Sequence, residues 1–171
     1  MQWPALVVSL ALLVGAAPIG SAVAGEPAAI DSGNEFYFTR GNYGGFGGEE
    51  WGPRWAVDFP AADEHFLVAL RRLTGIDAFD SHNAIRIDDE SLKDYPFLYL
   101  LETASLSLSG DQAEALRDYL LAGGFMMVDD SWGSYAWQNF EMQMKRVFPE
   151  REIVEIPLEH PIFHVFYDIE E

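Results

Sequence analysis

Asp129 and Asp130 stand side by side directly after an apolar run, in "GGFMMVDDSWGSYAW" (residues 123–137). Adjacent carboxylates at a strand end have three chemical uses. They can share a divalent cation, one can raise the pKa of the other, or one can cap the following helix. Ser131 comes next, and with His160 it would make a Ser–His nucleophile pair. Its neighbours Asp130 and Trp132 are not the small residues a strained nucleophile turn needs, so that arrangement is weak. The chain has no cysteine, which excludes thiol chemistry. His160 precedes Pro161 and belongs to an extended or turn segment. His164 lies four residues on, the spacing of two metal ligands on one helix face, but Pro161 opposes a helix and no HExxH is present.

These side chains need a scaffold that gathers them. Glu35 to Arg40, "EFYFTR", reads as a strand from its aromatic and β-branched content. A loop rich in glycine and aromatics follows, with neither a Walker Lys-Ser/Thr pair nor GxGxxG spacing. "DFPAADEHFLVALRRLTG" is a helix of about four turns, with Pro60 at its start, Gly75 past its end and Phe66, Leu67, Leu70 and Leu73 on one face. "NAIRIDD" alternates as a short strand, and residues 96–101 form a continuous apolar run like a strand buried on both faces. "LSGDQAEALRDYLLAGG" is a helix capped by Ser109 or Asp111, with Ala115, Leu116, Tyr119 and Leu120 on its face. Residues 125–128 make the next buried strand, and "SYAWQNFEMQMKRVF" a helix with Trp137, Phe140, Met144 and Val147 on one side. Residues 151–157, "REIVEIP", alternate as a last strand.

The order β-α-β-β-α-β-α-β implies an α/β fold, a mostly parallel open sheet between two helical layers. Ligands in such sheets sit beyond the carboxyl ends of the strands. That rule selects Arg40 and the loop from Gly41 to Trp51, then Glu102 and Thr103, then Asp129, Asp130 and Ser131, then the segment around His160. Each has a plain alternative. Arg40 could simply pair with an acidic neighbour, Glu102 could end its strand in solvent, and Tyr43 and Trp51 could be loop anchors rather than stacking platforms. Trp132 joins the binding candidates by adjacency to the aspartates.

The 171 residues suit one domain with its own core. With 28 acidic residues against 10 basic ones and a net charge of -18, the chain should repel nucleic acid and anionic lipid. Residues 1–24 look like an export signal: an apolar core from Ala5 to Ala17, breaks at Pro18 and Gly20, and Ala22-Val23-Ala24 before cleavage. No Lys or Arg precedes the apolar run, a departure from the usual pattern. Residues 25–33 read as a linker and residues 34–171 as the folded domain. The expected address is export to the periplasm, with no membrane insertion after signal cleavage.

The blocks "FYFTRGNYGG", "VDFPAADEHFLVALRRLTG", "YPFLYLLETASLSLSGDQAEALRDYLLAGGFMMVDDSWG", "RVFPER" and "EHPIFHVFY" together resemble the bacterial domain-of-unknown-function family numbered 4159. That family is similar in turn to the class I glutamine amidotransferase-like superfamily, which includes ThuA-like proteins. The resemblance implies a flavodoxin-like, amidotransferase-like sheet that lacks its last strand or two at the C-terminus. It also implies that Asp129-Asp130-Ser131 occupy the nucleophile zone and that His160 matches the later histidine. Without the cysteine, glutaminase activity should be absent.

Two functions are carried forward. The first is a non-catalytic exported module that binds a small neutral ligand or an envelope protein at the strand-end rim. The second is a ThuA-like hydrolase or carbohydrate-active enzyme using Asp129 or Asp130 as base with His160. No cofactor is expected except, in the second case, a divalent cation on Asp129, Asp130 and His160.

Overall fold

The computed structural model describes residues 36–44 and 52–165. The expected leader and linker, Glu35 and Trp51 lie outside the described residues. Strands and helices run in the order β1 (Thr39–Asn42), α1 (Ala61–Thr74), β2 (Asn83–Arg86), β3 (Phe97–Leu100), α2 (Gly110–Leu121), β4 (Phe125–Val128) and α3 (Gly133–Val147). The strands form one parallel sheet in the order β2-β1-β3-β4. This is an α/β open sheet of flavodoxin-like order. The chain leaves β1 toward β2 on one side and returns to β3 on the other, so the crevice between β1 and β3 is the topological switch point.

Two apolar clusters make the layers. On one face Ile85, Leu98 and Leu100 of the sheet pack with Leu116 and Tyr119 of α2 and Met144 and Val147 of α3. On the other, Phe38 packs with Leu67 of α1, and Phe97, Tyr99 and Leu70 lie against them. The alternation along β3 explains the split, because successive side chains of a strand point to opposite faces.

The helix ends follow their residue types. Gly75 ends α1 at φ 71°, a left-handed conformation that glycine adopts without a Cβ penalty. Ser109 caps α2 by accepting from the Gln112 N–H, and the Gln112 Oε1 in turn accepts from the Ser109 N–H. Ser109→Ala is expected to cost about 1 kcal/mol, read as a lowered urea midpoint at unchanged slope.

Five expectations change. β1 sits further along the chain than "EFYFTR": Phe36 makes an isolated bridge to Ala78, and the ladder begins at Thr39 and runs through Gly41. A Cβ on Gly41 would collide with the Leu100 side chain, so glycine serves close strand packing here rather than a loop. On α1 the stripe facing the sheet is Asp63, Leu67 and Leu70, an i, i+4, i+7 row; Phe66 flanks it, partly exposed but with its ring 4.8 Å from that of Phe38, while Leu73 is exposed. On α3 Trp137 is likewise exposed, and Ala136 takes the buried place. β4 is not buried on both faces: among the described residues it is the end strand of the sheet, and Phe125 and Met127 are exposed. Residues 151–157 form no strand. They are exposed throughout, because Arg151 is turned back by its N–H bond to Phe148 O and its carbonyl is held by Lys145 Nζ at 2.8 Å.

No helix among the described residues is long and apolar enough to cross a membrane.

Candidate functional site

The carboxyl ends of β1, β3 and β4 carry most of the residues singled out from sequence. Arg40, in β1, points down into the protein and is 1 % exposed. Its guanidinium forms a two-point pair with the Asp63 carboxylate through Nε, at 3.1 Å, and Nη2. Nη1 donates to the carbonyls of Trp55 (3.2 Å) and Val57 (2.6 Å). The rings of Phe59 and Tyr99 lie 5.5 and 5.3 Å from its carbon centre. Arg40 therefore holds α1 and the segment before it against the sheet. Its donors point away from any ligand at the rim.

Tyr43 is buried, and its hydroxyl donates to Leu101 O at 2.7 Å. Burial, then the Glu102 charge, push that hydroxyl well above the ordinary tyrosine pKa, so it stays a neutral donor. Glu102 itself adopts φ 54°, a left-handed conformation unusual for a residue with a Cβ, and its carboxylate faces Arg54 at 3.7 Å. Thr103, fully buried, donates to Ser131 Oγ at 2.9 Å and so joins the end of β3 to the end of β4. Asn139 of α3 closes the link by donating to the carbonyls of Thr103 and Leu106.

The paired aspartates divide their work. Asp129 accepts from the Tyr99 hydroxyl at 3.2 Å on one oxygen and from the Asp130 N–H at 2.8 Å on the other. Burial and then the Asp129 charge raise the Tyr99 pKa, which keeps the proton on the phenol. Asp130 stands at φ 51° and accepts from the Trp132 indole N–H at 3.2 Å. Neither aspartate caps α3. The cap position is Trp132, with no side-chain bond, so the capping role expected for one of them is not filled. Trp132 and Tyr135, each 71 % exposed, stand three residues apart at the start of α3 beside the carboxylates.

His160 is separate in its bonding. It caps a short 3-10 turn, Pro161–Phe163, where its Nδ1 accepts from the Ile162 N–H at 3.2 Å. No hydrogen bond or ion pair among the described residues joins it to Asp129, Asp130 or Ser131. Likewise, no group of three His, Asp or Glu side chains among the described residues is gathered as a metal site.

Strand-end reasoning thus brings Asp129, Asp130, Ser131, Trp132, Glu102 and Tyr43 to one rim. It also pointed to Thr103, which ties the ends of β3 and β4 together, but it missed Asp63, Tyr99 and Asn139, which position the rim. Asp63 had a signal: an acid on the inward stripe of an apolar helix face needs a buried cation. Tyr99 had none, because alternation within an apolar run does not say which hydroxyl meets a carboxylate.

The chain matches the family model described as "Domain of unknown function (DUF4159)" over residues 38–171. No curated protein matches it.

Proposed function

The chain belongs to the DUF4159 family, and from that premise we propose that it is an exported, non-catalytic binding module of the cell envelope whose ligand sits on the rim formed by Glu102, Asp129, Asp130, Ser131 and Trp132. The observation that carries the reading is how the polar groups are used. Asp129 is engaged by Tyr99 and the Asp130 N–H, and Ser131 by Thr103, while Trp132 presents a largely bare indole face beside them. Carboxylates held in place next to an exposed aromatic suit recognition of a neutral, hydroxyl-bearing ligand or of an envelope protein's side chains. The apolar leader at residues 1–24 supports the exported address.

We also place the chain in the class I glutamine amidotransferase-like superfamily. Support comes from the strand order β2-β1-β3-β4 and from the left-handed residue Asp130 just past β4, in the zone of the lost nucleophile. That same backbone conformation favours the second reading, a ThuA-like hydrolase using Asp129 or Asp130 with His160, since strained residues concentrate at reactive sites.

The test is a titration of the purified protein with a panel of neutral saccharides and purified envelope proteins, following tryptophan emission. Trp132→Ala is expected to weaken binding by about 2 kcal/mol, roughly 30-fold, with the fold intact. His160→Ala should leave binding unchanged. Turnover of a glycoside or ester that disappears in both Asp130→Asn and His160→Ala would replace the binding reading with the hydrolase.

A further inference from the structure

The segments that follow β1 and β3, on either side of the switch point, bring together a cation and an anion that do not close on each other. Arg54 opens the 3-10 turn Arg54–Ala56 after β1, and Glu102 directly follows β3. Arg54 Nη2 and Glu102 Oε2 lie 3.7 Å apart. A formed guanidinium–carboxylate hydrogen bond is shorter, at about 2.7–2.9 Å. Among the described residues no hydrogen bond reaches either charged group, and both side chains are partly exposed. A donor and an acceptor thus stand side by side, facing solvent, at the place where open parallel sheets take their ligands.

The backbone at both roots is held from behind. Arg40 binds the Trp55 and Val57 carbonyls, and Trp55 is buried, so the turn that carries Arg54 is tied to the sheet. Glu102 O accepts from the Ser105 N–H at 2.9 Å, and the Tyr43 hydroxyl donates to Leu101 O at 2.7 Å. These bonds hold Glu102 at φ 54°, a conformation that a residue with a Cβ keeps only where its surroundings impose it. The Thr103–Ser131 hydrogen bond then joins the neighbour of Glu102 to the neighbour of Trp132. The open pair and the exposed indole therefore belong to one rim.

We propose that Arg54 and Glu102 form the subsite that reads adjacent hydroxyls of a neutral saccharide. One hydroxyl accepts from the Arg54 guanidinium, and its neighbour on the sugar ring donates to the Glu102 carboxylate. Charge selects this class of ligand. An anion would meet Glu102, with Asp129 and Asp130 on the same rim and a net charge of -18 behind them. A cation would meet Arg54. A hydroxyl both donates and accepts without charge, so adjacent hydroxyls satisfy both groups at once. The inference rests on the binding reading above and assigns the polar contacts that accompany stacking on Trp132.

The test is a titration of the full chain with neutral methyl pyranosides, each of their monodeoxy counterparts and the matching uronates, following tryptophan emission. Wild type should bind at least one pyranoside roughly tenfold more tightly than a counterpart lacking one of two adjacent hydroxyls, the scale of a hydrogen bond to a charged group. Arg54→Met keeps the apolar stem and removes the donors. Glu102→Asn withdraws the acceptor with a residue that tolerates the left-handed conformation. A partly exposed pair this far apart contributes little to stability, so both variants should fold with an unchanged circular dichroism spectrum. Each should erase the discrimination against the monodeoxy sugar. Trp132→Ala should weaken both sugars alike and preserve their ratio. Discrimination that survives both Arg54→Met and Glu102→Asn overturns the subsite while leaving the binding reading intact. So does a uronate bound more tightly than its neutral parent, or binding of an envelope protein through Trp132 with no pyranoside bound at all. Failure of every saccharide and every envelope protein to bind would overturn both.

Discussion

Asp63→Ala is expected to lower unfolding stability by about 3–5 kcal/mol, seen as a large drop in the urea midpoint. The magnitude comes from what is left behind rather than from the pair's own strength. Arg40 is 1 % exposed, and with Asp63 gone its guanidinium keeps only the two backbone carbonyls and the faces of Phe59 and Tyr99. A buried charge without its counter-ion is among the costliest defects a core can carry. The double replacement Arg40→Met with Asp63→Leu should recover much of the loss, because it removes both desolvation penalties and keeps the volume. If Asp63→Ala cost less than about 1 kcal/mol, as a surface pair would, the pair would have to be solvated in solution.

Leu116→Ala should be of comparable size, about 2–5 kcal/mol. Leu116 is fully buried in the cluster that joins α2 and α3 to the sheet, among Leu98, Leu100, Tyr119 and Val147. Tyr119 donates to Tyr95 O at 3.0 Å beside it, so the surroundings are tied and cannot collapse freely into the space. Leu121→Ala, on the exposed side of the same helix, is the control and should stay within about 0.5 kcal/mol of wild type.

The fold was largely legible because its signals are local. Gly75, Ser109 and the apolar run at β3 each act within a few residues. The misplacements share a cause: periodicity gives the side of an element, not what covers it. Residues 151–157 alternate as a strand does, yet whether they enter a sheet depends on the turn set by Lys145 and Phe148. Leu73 belongs to the apolar pattern of α1, but the stripe that meets the sheet is narrower than the pattern and leaves it exposed. At the site, the rule of strand ends found Asp129 and Asp130 from topology alone. It could not tell that Arg40, in the last turn of its strand's reading, faces the core, since a buried cation becomes recognisable only once its anion is placed. For Asp63 that placement needed a helix brought across the sheet from 23 residues away.

Arg40 also fixes how the rim can respond to a visitor. Its bonds to Trp55 and Val57 nail one bank of the crevice to the sheet, so local opening there means stripping a buried guanidinium of its partners, an event close to global unfolding in cost. The opposite bank ends in Trp132, whose indole is steadied by a single bond to Asp130. Whatever binds meets one rigid wall, which loses almost no entropy, and one swinging side chain, which loses most of it. Adaptation to different ligands should therefore be confined to the α3 side. Spin relaxation of the Trp132 indole N–H, free and bound, is where that asymmetry would be visible.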